Sequence, residues 1–418
     1  MKVVVIGAGP AGISAARAAS TRGAHVVLVD SGPSVGGQFF RQPYDRPRTL
    51  PGVEHLPSTV VWAIEGRRVH LLSGPADGPD RKARVVDADA LVLATGAHDR
   101  VVPFPGWDMR GVYTAGAAQI LAKEQRLPIG RRVLVAGTGP FLLAVTKSLT
   151  DVGADVIAVL EANSPARWLR APFAGRHKLG EATRYLAHLA RHRIPYRPRT
   201  AVVAVHGDGH VQAATVARLD ENWNILSTEQ VEADAVCVAH GFTPQLELAV
   251  AAGCDLADGF VKVSFTQATS VPGVFAAGEI TGIGGADLAA AEGTVAGIAA
   301  VGGRVPHDAL RKVRQGRRFA AALAQAYPIG PGWRDWLATD TVVCRCERVT
   351  YGALCDAVST RAATGARTVK LVSRVGLGRC QGRTCLRNAA DLTGVAFPER
   401  RPIAAPLRLG ELAAEEET

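Results

Sequence analysis

The apolar positions of this chain fall into short unbroken runs, each followed by glycines and then by a helical spacing of apolar and small residues. The first run is Lys2 to Val5; a glycine-rich stretch from Gly7 to Gly12, the helical pattern ISAARAASTRG and the run HVVLVD ending at Asp30 follow it. Continuous apolar runs of this length suit strands buried on both faces of a parallel sheet, and the intervening 3.6-residue period suits a crossover helix. The same pattern begins again at Arg132, with a strand to Ala136, glycines at 137 and 139, the helix FLLAVTKSLTDVG and the strand DVIAVLE ending at Glu161. Two further runs are ALVLATG, from Ala90 to Gly96, and VFAAGE, from Val274 to Glu279; the second leads into GIGGADLAAAEGTVAG, a helix starting near Gly284. The spacing predicts an α/β protein with one Rossmann-like unit nested in another.

The remaining segments read differently. GRHKLGEATRYLAHLARHR is helical and carries His177, His188 and His192, read as surface residues. After Gly303 a charged amphipathic helix runs into a Pro/Gly break from Pro328 to Trp333, a connector in which Trp333 and Trp336 are expected to pack in the core. Tyr351 to Gly365 reads as a helix with Leu354, Ala357 and Val358 on one side, and the closing FPERRPIAAPLRLGELAAEEET holds too little apolar material for a core of its own. It is expected to fray or to lie along another subunit. The boundaries that follow are 1–115 with 240–303 for a discontinuous first domain, 116–239 for the inserted one, 304–340 for the connector, 341–390 for a small helical domain and 391–418 for the tail.

Composition narrows the classes. At 418 residues, 47% hydrophobic and 21% charged, the chain is long and apolar enough for several packed cores. The formal charge of +10 comes mostly from scattered arginines without interleaved aromatics, which speaks against nucleic-acid binding. No apolar run reaches the length of a membrane span, no leader pattern precedes the first strand, and the seven cysteines do not suit a disulfide framework. A cytoplasmic protein is expected, not membrane-spanning; a peripheral place on the inner face of the membrane is compatible with this.

The glycines carry the first piece of chemistry. In Gly7-Ala-Gly9-Pro10-Ala11-Gly12, Gly7 allows a tight turn, Gly9 admits a pyrophosphate against the backbone and Gly12 lets helix and strand pack closely, while Asp30 suits the ribose hydroxyls. In the second copy the third glycine is Leu142, which should hold the helix off the strand and crowd a dinucleotide; Glu161 would suit an unphosphorylated ribose. This leaves room for an adenine nucleotide in the middle domain without hydride chemistry. Cys344-Arg-Cys346 and Cys380-Gln-Gly-Arg-Thr-Cys385 carry the second piece, since four thiolates in two pairs can hold a [2Fe–2S] cluster; C-x-C departs from the usual zinc spacing, though zinc and plain buried thiols stay open. Arg345, Arg348, Arg374, Arg379 and Arg383 crowd the same segment and would favour thiolate.

Three resemblances sharpen these readings. Val343 to Asn388 resembles the bacterioferritin-associated-ferredoxin-like module, a small helical [2Fe–2S] fold, which implies Cys344, Cys346, Cys380 and Cys385 as ligands. Met1 to about Gly303 resembles glutathione-reductase-type flavoproteins with two dinucleotide-binding domains: Ala94-Thr95-Gly96 matches their A-T-G signature and Gly278-Glu279 their second flavin motif, with Glu for the usual Asp, which implies FAD. The redox dithiol of the disulfide reductases is absent. Gly36-Gly37-Gln38 matches a G-G-Q of related amine-oxidising complexes, which implies Gln38 and Arg41 near the isoalloxazine. Taken whole, with FPGWDMRGVYTAGAAQIL and the Pro-rich tail, the chain resembles the larger subunit of heteromeric dye-linked amino-acid and opine dehydrogenases, a family that includes opine oxidase, hydrogen cyanide synthase and proline or hydroxyproline dehydrogenase. That resemblance implies an electron-transfer subunit working with a glycine/D-amino-acid-oxidase-like FAD subunit, with room for a further small subunit, and delivering electrons to a quinone or dye. No catalytic base or nucleophile stands out. The alternative is a free-standing NADH:acceptor oxidoreductase.

Overall fold

The computed structural model describes residues 1–41, 50–76, 78–170, 174–397 and 403–413, with the side chains of Leu169, Arg170 and His177 outside the description. It divides into two compact units, Met1–Ala97 with Pro244–Ala321 and Glu399–Thr418, and His98–Thr243 with Ala322–Pro398.

The first unit is built on a parallel five-stranded sheet in the order Val274–Ala276, Ala90–Leu93, Lys2–Ile6, His25–Val29 and Glu54–Leu56. Its central strands are buried on both faces, which is why they read as continuous apolar runs. The helices Pro10–Ser20 and Ala286–Ala300 pack against each other through small residues: a Cβ on Gly293 would lie 2.0 Å from the Ala11 carbonyl oxygen, and one on Gly297 2.2 Å from that of Ala15. A three-stranded antiparallel sheet, Thr59–Glu65, Arg68–Ser73 and Lys82–Asp87, completes this unit. The expectation of a frayed or intersubunit tail is corrected over its described part, residues 403–413. Ala404 is buried and donates its N–H to the Trp62 carbonyl (2.7 Å), Ala405 and Leu407 pack on Trp62, Ala63 and Leu72, and Glu411 pairs with Arg81 (2.5 Å). The few apolar residues of the tail borrow a core from a sheet laid down more than 300 positions earlier, a pairing that local composition does not reveal.

The second unit repeats the parallel design, in the order Tyr196–Pro198, Asp155–Glu161, Arg132–Gly137, Ala235–Ala239 and Val112–Thr114. Leu142 sits in the first turn of helix Phe141–Thr150, wholly buried against Val133 and Val135. Full burial of a leucine is worth about 1.5–3 kcal/mol, so the helix is better placed with this side chain inside than drawn close as a glycine would allow. Trp333 and Trp336 are buried, and the Trp223 and Trp336 rings stack 5.9 Å apart.

The cysteine segment belongs to the same unit. The helix expected from Tyr351 to Gly365 and onward is two helices, Tyr351–Ser359 and Ala366–Ser373. Leu354 and Ala357 are buried as the spacing predicts, together with Val343, Val369 and Val375. The segment docks on residues 98–107: His98 Nε2 lies 2.7 Å from the Arg383 carbonyl oxygen, Asn388 Nδ2 donates to the Val101 carbonyl (2.7 Å), Arg100 pairs with Asp391 (2.5 Å), and Trp107 Nε1 donates to the Val342 carbonyl.

Candidate functional site

The glycine-rich loop of the first unit shows why each glycine is there. Gly7 has φ +103° and a Cβ on it would lie 2.2 Å from the Ala94 carbonyl oxygen, so the loop can abut the A-T-G strand only with glycine. A Cβ on Gly12 would lie 1.7 Å from the Gly7 carbonyl oxygen. Gly9 differs: its φ of −76° suits any residue and a Cβ there would meet nothing within 4 Å. Neither backbone conformation nor packing requires a glycine at that place, so its missing side chain leaves open space in front of the helix amino terminus of Pro10–Ser20, where N–H groups face outward. Pro10 opens that helix, and Ala11 packs beside Gly278, whose own Cβ would lie 2.9 Å from that of Ala11.

The other flavin-motif residues converge on this loop. Gly36 donates its N–H to the Ala8 carbonyl (2.8 Å), and a Cβ on Gly37, at φ +54°, would lie 2.7 Å from the Gly9 Cα. The G-G-Q turn is therefore folded onto the phosphate loop, with Gln38 exposed beyond it. Ala94 is tied to Ile6, Thr95 Oγ1 donates to the Gln245 carbonyl (2.8 Å), and the Gly96 carbonyl accepts from the Gln245 N–H (3.0 Å). Asp30 accepts the N–H groups of Ala8 and Gly32, so its carboxyl already braces the loop. Burial pushes its pKa up, opposed by those amides and by the charges of His55 and Arg41. His55, on the neighbouring strand and within electrostatic reach of Asp30, was not singled out by the sequence. Glu279 accepts the N–H of Gly285, and burial pushes its pKa up to about 7. The open cradle at Gly9 and the outward-facing N–H groups of the helix amino terminus fit the pyrophosphate of FAD.

The equivalent place in the second unit is filled by the chain itself. Tyr327 stands over Gly139, its ring within 4.0 Å of where a Cβ would be, and its hydroxyl accepts from Trp168 Nε1 (3.0 Å). Asn163 Nδ2 donates to the Thr138 hydroxyl (2.7 Å) and to the Pro328 carbonyl (2.9 Å). Glu161, expected to face a ribose, is 1% exposed and accepts the N–H groups of Gly139 and Asn163, with burial pushing its pKa up to about 7. A cavity of about 140 Å³ lies at the end of this strand, lined by Asn163, Arg167, Arg199 and Glu221 among others. Pockets that enclose small molecules run from about 300 Å³ upward, so this cavity alone does not hold a dinucleotide, and Tyr327 stands separately over the approach to Gly139. NADH is accordingly expected to leave the flavin oxidised in anaerobic stopped flow; bleaching within the mixing time would overturn this.

The four cysteines meet in crossed pairs, Cys344 with Cys385 and Cys346 with Cys380, each pair in side-chain contact. Hydrogen bonding from Cys385 lowers the Cys344 pKa, aided by the N–H groups of Gly376, Glu347 and Cys346, while the Cys385 thiol is raised by that same partner. Gly378 makes the second pair possible, for a Cβ there would lie 2.2 Å from that of Cys346. Three of the five arginines are engaged elsewhere: Arg345 stacks over Trp107 at 4.3 Å, Arg348 pairs with Asp108 (3.3 Å) and Arg374 with Glu347 (2.6 Å). Backbone amides are the nearer source of thiolate stabilisation. Among the described residues no set of three or more His, Cys, Asp or Glu side chains converges on one metal-sized point. Two pairs rather than one quartet are nonetheless the donor set that a two-iron cluster uses, two thiolates to each iron.

Comparison with known proteins gives the frame for this geometry. Residues 1–293 match the family model described as pyridine nucleotide-disulphide oxidoreductase. The chain is 31% identical to an opine oxidase subunit of Rhizobium meliloti over 98% of its own length and 87% of that protein's. It is 30% identical to hydrogen cyanide synthase subunit HcnB of Pseudomonas aeruginosa, covering 94% and 92% of the two chains. In fold it superposes on L-proline dehydrogenase from P. horikoshii with a TM-score of 0.66 at 19% identity, over 98% of this chain and 79% of that one. No helix among the described residues is long and apolar enough to cross a membrane.

Proposed function

The chain belongs to the pyridine nucleotide-disulphide oxidoreductase family and is an FAD-dependent oxidoreductase related to subunits of heteromeric oxidases, and from that premise we propose that it is the electron-transfer subunit of an amino-acid or opine dehydrogenase. The partner would be an FAD subunit of the glycine/D-amino-acid-oxidase type that removes a hydride from the carbon bonded to the substrate nitrogen, with the N–H proton released to solvent as the imine forms, and a quinone or dye would be the final acceptor. When bound, FAD supplies two-electron chemistry and a [2Fe–2S] cluster one-electron chemistry.

The chain's own residues have holding and insulating tasks. Gly7, Gly9 and Gly12, with the helix amino terminus behind them, receive the pyrophosphate, and Gly37, Gln38, Ala94, Thr95, Gly96, Gly278 and Glu279 border the flavin. Cys344, Cys346, Cys380 and Cys385 hold the cluster. The observation that carries this reading is the pairing of those cysteines, Cys344 with Cys385 and Cys346 with Cys380.

The test is purification of the tagged chain from its native host, identification of what comes with it, and dye reduction across a panel of amino acids and opines. A second flavoprotein should accompany it, and activity should need both. A chain that alone oxidises an amino acid as fast as the complex would end the proposal.

A further inference from the structure

Helix Ala286–Ala300 is apolar on all sides, yet one of its wholly buried residues is an acid, Glu292, 1% exposed. Burying a carboxylate is costly unless hydrogen bonds and an opposite charge replace water. Glu292 has both, and they point to the flavin motif. Its Oε2 accepts the N–H of Gly278 (3.0 Å) and the hydroxyl of Thr281 (2.7 Å), and its Oε1 accepts Arg317 Nε (2.8 Å) from helix His307–Ala326. Arg317 in turn donates to the wholly buried Gln267, whose amide, oriented to satisfy both ends, accepts at 3.1 Å and donates to the Ala276 carbonyl at 3.0 Å.

The result is a closed circuit around Gly278-Glu279-Ile280-Thr281. Strand Val274–Ala276 enters it and is held by Gln267. Gly285, at the start of helix Ala286–Ala300, donates to Glu279, and two turns further on Glu292 grips the turn from behind. We propose that Glu292 is a positioning residue for the flavin, with Arg317 as its counter-charge: by holding the Gly278 N–H and the Thr281 hydroxyl it sets where the Glu279 carboxyl stands toward the cofactor. The helix His307–Ala326 thereby gains a task at the flavin site through Arg317, where sequence alone makes it a connector.

This rests on the flavin placement above, and the experiment separates the two. The variants are Glu292→Gln, Thr281→Val and the double Glu292→Gln/Arg317→Met, each purified as full chain with FAD. The readouts are FAD retention on dilution, the flavin visible band and midpoint potential, and Tm.

A carboxamide must turn an NH₂ group toward at least one of the three donors. Glu292→Gln should therefore weaken FAD retention about tenfold or more and shift both band and potential. Thr281→Val should weaken retention by about threefold with Tm little changed. The double variant removes the third donor and restores charge balance, so the new carboxamide can turn its oxygen to Gly278 and Thr281, and Tm, FAD retention and potential should all return most of the way to wild type.

A double variant that regains Tm but neither FAD retention nor potential would overturn the inference, and so would Glu292→Gln with wild-type affinity and spectrum, which would leave only a structural ion pair. If Glu292→Gln does not fold, Thr281→Val decides: unchanged affinity and spectrum overturn it. Wild-type protein that takes up no FAD would instead show that the flavin placement has failed.

Discussion

Cys380→Ser is expected to strip the protein of iron and acid-labile sulfide while its flavin content stays at the wild-type level. Cys380 is the partner of Cys346, so the substitution leaves one thiolate where an iron needs two. Changes to residues that only support a metal ligand already cost about 10–100-fold in affinity; removal of a ligand should exceed that. The Cys344 and Cys385 pair, with its three backbone amides on Cys344, remains, so the module should stay folded. The glycines and carboxylates of the flavin motifs all belong to the other unit, which is why flavin should be spared. Visible absorption beyond the flavin bands should disappear, and dye reduction by the assembled complex should fall about 100-fold or more. Unchanged iron stoichiometry would refute the ligand assignment.

Gly9→Val should give well-folded apoprotein. The backbone at Gly9 is in a region open to valine, and the new Cβ meets no protein atom, so the fold loses nothing. The isopropyl group would instead fill the cradle in front of the helix amino terminus, where a pyrophosphate must approach to van der Waals distance. FAD content should drop to less than about a tenth of wild type, with apoprotein Tm unchanged within error, since a fully blocked approach forfeits most of the phosphate binding energy. Gly12→Val is the control: there a Cβ would lie 1.7 Å from a carbonyl oxygen, and misfolding is expected. Normal flavin occupancy in Gly9→Val would contradict the placement of the cofactor.

The two variants bear on what a sequence of this kind discloses. The parallel sheet was legible because strands buried on both faces must be apolar throughout, and the A-T-G strand and its glycine partners were legible because close backbone approach admits no other residue. Leu142 was legible as a departure, but not its resolution: helix packing, rather than the loop, absorbs the leucine. Asp30 and Glu161 could be located but not oriented. Both turn their oxygens onto amides of the loop they follow, and nothing in their spacing distinguishes a carboxylate facing a ribose from one bracing its own loop. Tyr327 over Gly139 was invisible for a plainer reason, since 188 positions separate them and only the folded connector brings them together. Among the arginines around the cysteines, nearness in sequence did not disclose that Trp107, Asp108 and Glu347 take up Arg345, Arg348 and Arg374.

The docking of Ala404, Ala405 and Leu407 over Trp62, Ala63 and Leu72 bears on how the cysteine module can be dissected. A chain cut after Phe397, a natural stopping point for anyone trimming behind the module, would bare an indole and a leucine on the flavin-bearing unit. Clumping or poor yield of such a truncation would then report an uncovered apolar surface far along the sequence, and would say nothing about the cysteine pairs it was designed to isolate.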